Sequence, residues 1–250
     1  MDERNFKTKQ TRSSEDIISF YDQYAKTWDQ RFNASASTEE FHQMRLNSFL
    51  NLAQLNKDIT AIELGVGTGP YVKTIAGFVN RLICVDASRE MLRVLTRKIE
   101  NIDNIQIELL DITKPLFMNN LKADLVYFFG LIEHIIEIDI FIENCKRMLN
   151  DNGRLIVITP NGLCPWYYGV RNIIRSGKHC SSDNYYSRNS LRKIMMRHGL
   201  FEEQYNYWGF FPAGIDGIFF YILKYLGIFL EKTPLKKYSG GMSIKYKITE

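Results

Sequence analysis

Apolar and polar positions change rhythm several times along this chain. Residues 17–32 (IISFYDQYAKTWDQRF) are amphipathic and rich in aromatic side chains. A polar, small-residue patch follows, NASASTEEF, and then FHQMRLNSFLNLAQL returns to helical spacing with Phe41, Met44, Leu52 and Leu55 on one face. The centre alternates. Strands are predicted at 59–64, at 81–85 with Asp86 at its end, at 105–110 before Asp111, at 123–129 and at 154–159. Helices are predicted after Pro70, at 88–101 with Ser88 as its cap, and at 138–149, with a turn at 150–153. Such alternation predicts a largely parallel sheet with helices on both faces. Right-handed crossovers then bring the C-terminal ends of the strands to one rim.

After Pro160 the rhythm fails. Residues 161–187 are long and aromatic, SRNSLRKIMMRHG is a capped helix closed by Gly199, 201–208 is a strand, 209–230 is very apolar, and 243–248 is a last strand. The expected organisation is a disordered tail at 1–15, an N-terminal helical lid at 16–58, and one α/β core at 59–250. That core carries insertions at about 161–187 and 209–240.

Composition narrows the partners. The net charge of +4 comes from 32 basic and 28 acidic side chains with no block of one sign, which argues against nucleic acid. The four cysteines form no CxxC pair, so no zinc site is expected. Cys84 and Cys145 lie in apolar patterns and read as core thiols, which suits a reducing cytoplasm. The polar start has no signal-peptide pattern, and a cytoplasmic location is expected.

The stretch AIELGVGTGPYV carries the chemistry. A strand that breaks into Gly65, Gly67 and Gly69 suits close backbone approach by a ligand, and the helix after it offers free N–H groups. A dinucleotide fingerprint needs glycine at the sixth place, where Pro70 stands, and no P-loop GK[ST] follows. A simple tight turn is the bland alternative. Asp86 ends the next strand, where it can accept both hydroxyls of a ribose. Asp111 ends the third, where it can accept from an adenine amino group while Ile112 packs on the ring.

ELGVGTG, VDAS, LLDITKPL, ADLVYFFGLIEHI and RLIVITPNG together resemble the motifs of the class I S-adenosylmethionine-dependent methyltransferases, and FYDQYAKTWD resembles the lid of their small-molecule branch. The resemblance implies a Rossmann-like sheet and S-adenosyl-L-methionine as cofactor. By position it implies that Gly65 and Gly67 pass under the methionine portion and that Glu63 orients it. Asp86 would hold the ribose, with Ala87 and Met91 beside it. Asp111 and Ile112 would hold the adenine, and Phe128 and Phe129 would offer backbone or ring contacts near the sulfonium. Arg45 would bind the carboxylate, or else is a surface arginine. Tyr21, Tyr24 and Trp28 would close over the cofactor, or else pack the lid onto the sheet.

His134, after the fourth strand, is the candidate general base, with Glu133 orienting it or binding substrate. A capping or packing role for His134 is the alternative. His42, His179 and His198 are weaker candidates. The Glu-His pair resembles part of a metal cluster in quinone-pathway O-methyltransferases, but Gly130 stands where those relatives carry another glutamate, so no metal is expected.

The expected activity is methyl transfer to a small, apolar or aromatic acceptor, to a hydroxyl or carboxylate oxygen. A small-amine N-methyltransferase and a non-catalytic cofactor-binding protein are the alternatives. The segment FFPAGIDGIFFYILKYLGIFL is too short to span a bilayer. It is expected to be a helix buried under the lid, a wall of an apolar substrate pocket, or a peripheral membrane or dimer contact. Monomer and homodimer both remain open.

Overall fold

The computed structural model describes residues 13–115, 121–167 and 184–248. Seven strands form one sheet in the order β3-β2-β1-β4-β5-β7-β6. They are β1 (Thr60–Leu64), β2 (Arg81–Asp86), β3 (Ile105–Leu109), β4 (Ala123–Phe129), β5 (Leu149–Pro160), β6 (Leu200–Trp208) and β7 (Gly241–Ile248). The first five pair in parallel, and β7 runs antiparallel between β5 and β6. The strand order reverses between β1 and β4. A crevice outside the C-terminal ends of these strands is where open α/β sheets bind ligands.

Alternation along the strands divides the core into two layers. Ile62, Leu64, Val85 and Phe128 face α5 (Ile138–Met148) and α6 (Arg188–Arg197) through Phe141, Cys145, Leu191 and Met195. Ala61, Cys84 and Tyr127 face α2 (Ala36–Ala53), α3 (Val72–Ala76) and α4 (Arg89–Lys98) through Phe49, Leu52, Ile75 and Leu95. Each of these large side chains removes about 1.5–3 kcal/mol worth of apolar surface from water. Cys84, Cys145 and Cys164 are buried free thiols, and Cys180 lies outside the described residues.

Three expectations need correction. The N-terminal helix α1 (Ser14–Tyr24) starts earlier than residue 16, because Ser13 and Asp16 form a reciprocal capping box. Residues 1–12 lie outside the described set. The turn at 150–153 is instead an irregularity inside β5, since Leu149 already pairs with Ala123 and the register then shifts to Arg154 opposite Leu125. Finally, the apolar helix α7 (Gly217–Leu230) is not buried all round: only Phe220 and Gly227 are enclosed.

Candidate active site

The three glycines of the turn after β1 all have positive φ, at 63°, 57° and 69° for Gly65, Gly67 and Gly69. Their tasks differ. A Cβ on Gly65 would come within 2.7 Å of Leu131, and one on Gly69 would collide with Leu95. At Gly67 a Cβ would meet nothing within 4 Å among the described residues. Positive φ favours glycine at all three positions; packing adds to it most at Gly69, against the fully buried Leu95, less at Gly65, where the half-buried Leu131 can give, and not at Gly67 among the described residues.

Asp86 stands beside that opening. Its carboxylate accepts from the N–H of Gly67 at 2.7 Å and of Ser88 at 2.8 Å. Burial raises its pKa above the usual range, the N–H groups of Ser88, Gly67 and Ala87 pull it back, and Asp22 raises it further. Ala87 is half-buried, and Met91 is buried in the first turn of α4. Asp111 accepts from the Thr113 N–H at 3.0 Å and hydroxyl at 2.6 Å, and pairs with Lys114 at 3.3 Å. Ile112 is buried, and its carbonyl accepts from Asn144 at 3.0 Å. The Leu110 N–H donates to the Asp86 carbonyl at 3.0 Å, which ties the two acidic strand ends together.

Beneath the turn, Glu63 is 2% exposed and accepts from the Tyr127 hydroxyl at 2.9 Å. Burial pushes its pKa up to about 8, the Asp86 charge adds to that, and the tyrosine opposes it. The unfolded carboxyl titrates near 4.5, so this contribution to stability is complete below that pH and is lost as pH rises through about 8. Melting temperatures recorded from pH 5 to pH 9 are expected to fall in the wild type and to fall less in Glu63→Gln, which stays neutral throughout.

Arg45 is half-buried on α2. Its guanidinium lies 5.8 Å from the Phe41 ring centroid and 6.0 Å from that of Trp208. Its Nε is buried and has no hydrogen-bond partner among the described residues. His42 Nδ1 meets the Tyr71 hydroxyl at 2.8 Å. Burial, and then the Arg45 charge, lower the His42 pKa to about 3, so this imidazole is neutral near pH 7.

Gly130 ends β4 with φ of 61°, and its N–H donates to Ile158 at 2.8 Å. A Cβ here would stand 3.2 Å from Glu133 Oε1 and 3.7 Å from Arg45 Nη1. A glutamate in this place would be strained and crowded, which gives a physical reason for the missing metal ligand. Among the described residues no group of three His, Cys, Asp or Glu side chains could hold a metal ion.

A short 3-10 turn, Ile132–His134, carries the Glu-His pair. Glu133 is buried and accepts from Thr159 at 3.1 Å. His134 lies edge-on to the lid residue Tyr21, with centroids 5.7 Å apart. Phe128 is fully buried against Phe141, which leaves only its backbone to meet a ligand. The ring contacts of Tyr24 are with Phe20 at 4.6 Å and Arg31 at 5.6 Å, inside the lid. Tyr21, which also packs on Trp28, is the one that crosses to the rim. His198 is remote, bridging Glu143 and Asp139 at 2.8 Å each, and His179 lies outside the described residues.

Sequence reasoning missed how the lid is fastened. Asp22 on α1 accepts from the Ser88 hydroxyl at 2.5 Å and the Glu90 N–H at 3.2 Å, so it reinforces the cap of α4. Asp29, in the 3-10 segment Ala25–Arg31, accepts from Thr68 of the glycine turn at 2.6 Å and pairs with Lys98 at 2.5 Å. Both acids meet the edges of the crevice, yet no local spacing in the sequence marks them. Ile17 is the one buried residue of α1, so polar links more than apolar packing hold this helix. Such an element belongs to the low-stability end of a fold.

Residues 62–157 match the family model described as a methyltransferase domain. An uncharacterized transposon protein of Streptomyces fradiae is 30% identical over 106 residues, covering 41% of this chain and 30% of that protein. A Mycobacterium tuberculosis protein named a probable S-adenosylmethionine-dependent methyltransferase is 28% identical over 100 residues, covering 40% and 35%. The matched segment thus spans about a third of the length of these curated relatives. Among solved structures, DhpI in complex with SAM and HEP aligns with TM-score 0.64 at 15% identity over 94% of this chain and 99% of that one. The N-methyltransferase NodS of Bradyrhizobium japonicum, in complex with S-adenosyl-l-homocysteine, aligns with TM-score 0.59 at 14% identity over 88% and 91%. The fold is shared with these structures across nearly the whole chain, and residues 62–157, which contain the glycine turn, Asp86 and Asp111, match a methyltransferase domain.

Proposed function

We propose that this protein transfers a methyl group from S-adenosylmethionine to an oxygen atom of a small molecule. The observation that carries the reading is the glycine turn, open at Gly67 and flanked by the Asp86 carboxylate. The residues present fit the cofactor. Gly67 leaves room for it, and the buried, unpartnered Nε of Arg45 is a donor suited to a carboxylate. Asp86 would hold the ribose with Ala87 and Met91 beside it, Asp111 and Ile112 the adenine, and Arg45 with Glu63 the amino-acid end. When bound, S-adenosylmethionine supplies an electrophilic methyl group on a positively charged sulfur.

The chain's own contribution is alignment, exclusion of water and removal of a proton. Tyr21 and Trp28, in a lid fastened at Asp22 and Asp29, cover the rim beside His134. A covered rim suits a small acceptor. His134 would take the proton of an acceptor hydroxyl, with Glu133 beside it in sequence and near Gly130 in space.

Replacing His134 with Gln tests the acceptor atom. For a hydroxyl acceptor, kcat is expected to fall by about 100-fold or more with S-adenosylmethionine affinity unchanged. Retained kcat would favour an acceptor that is already nucleophilic, such as an amine. NodS, a fold relative, is named as an N-methyltransferase, which keeps that second reading in play.

A further inference from the structure

We infer that the outward face of α7 is a docking surface for an anionic lipid bilayer. Phe220 and Gly227 bury one side of this helix against Phe210 and Phe211. At 3.6 residues per turn the opposite side is centred on Ile218, Ile222, Tyr225 and Phe229. Ile218 is 77% exposed, Tyr225 70% and Phe229 65%. The one charged side chain within α7, Lys224, is turned to Glu40 at 2.8 Å. The outward face therefore carries no charge. An exposed apolar patch of this kind marks an interaction site.

Charge and shape select the occupant. Exposed Lys232, Lys236 and Lys237 follow the helix directly, and Glu231 beside them is engaged by the Gly209 N–H at 2.9 Å. Cations flanking an apolar, aromatic face match anionic headgroups above acyl chains. Tyrosines at the patch suit the headgroup boundary. The helix has 14 residues, about 21 Å, and no helix of the described residues is long and apolar enough to cross a membrane. It would lie in the interface. Asp216 and Ile215, just before α7, hold the Ala36 N–H and the Ser37 side chain at the start of α2. Since α2 carries His42 and Arg45, the docking face would sit one helix away from the rim. The inference stands independently of methyl transfer.

Sedimentation of the full chain with phosphatidylcholine vesicles, with and without phosphatidylglycerol, tests it. The wild type is expected to pellet with the anionic vesicles and to be released by salt. The double variant Ile222→Glu/Tyr225→Glu and the triple variant Lys232→Gln/Lys236→Gln/Lys237→Gln are each expected to partition about tenfold more weakly or worse. All these side chains are exposed, so melting temperatures should stay near the wild-type value and confirm folded protein. No pelleting with any vesicle, or equal partition of wild type and the double variant, would overturn the inference. A dimer in sedimentation velocity that the double variant dissolves, without vesicle binding, would give the face to a second copy instead.

Discussion

An Asp86→Ala variant is expected to bind S-adenosylmethionine about 100-fold more weakly than the wild type while melting within a few degrees of it. Hydrogen bonds to a charged group contribute about 1.5–3 kcal/mol each, and a carboxylate holding a ribose loses two of them. A loss of about 3 kcal/mol corresponds to roughly 100-fold in affinity. Stability should change little because Asp86 is not a net asset to the free protein. Its carboxylate is partly desolvated, as the raised pKa records, and the N–H groups of Gly67 and Ser88 that it satisfies lie at a half-open rim where water can replace it. Titration calorimetry with S-adenosylmethionine, with NAD as control, measures this. Unchanged affinity would remove Asp86 from the site, and NAD binding by the wild type would mean that the turn serves a dinucleotide despite Pro70. The raised pKa adds a pH signature. Affinity should weaken on acidification at a higher pH than an ordinary aspartate would give.

Alanine at Gly69 and at Gly67 should have opposite characters. At Gly69 the φ of 69° costs a non-glycine residue about 1–2 kcal/mol, and the new methyl would strike Leu95. Leu95 is fully buried, so making room for the methyl must disturb its neighbours, which adds about 1–3 kcal/mol of overpacking. Gly69→Ala is therefore expected to lose about 3 kcal/mol or more, a drop in Tm on the order of 10 °C. At Gly67 the φ of 57° brings a similar backbone cost, but among the described residues nothing lies within 4 Å of the added methyl. Gly67→Ala should keep most of its stability, with a loss of about 1–2 kcal/mol, and still lose cofactor binding, because the methyl occupies the ligand's approach. Thermal melts and calorimetry on the two variants separate a packing glycine from a binding one. Full binding by Gly67→Ala would reduce the turn to a plain strand-to-helix connection.

The sheet was legible because its signals are local. Strands buried on both faces read as short apolar runs, and the acids that close β2 and the β3 loop stand where those runs end. Ser88 and Ser187 announce the starts of α4 and α6 by their hydroxyls. The capping box at Ser13 is equally local, but the polar residues around it give the same pattern as a tail.

The sequence alone determined the alternation that forces a largely parallel sheet, the glycine turn, and the acids that stand at or just past two neighbouring strand ends. Each rests on neighbours in the chain, where backbone geometry and side-chain period act over a few residues. Only the tertiary structure decided which glycine packs and which faces open space, since that depends on where Leu131 and Leu95 arrive. It also turned Phe128 into the core, brought Asp22 and Asp29 to the edges of the crevice across 66 and 39 residues of chain, and left the apolar face of α7 outside. Those outcomes depend on contacts between distant segments, and hydrophobic pattern by itself does not say which apolar helix the core has room to cover.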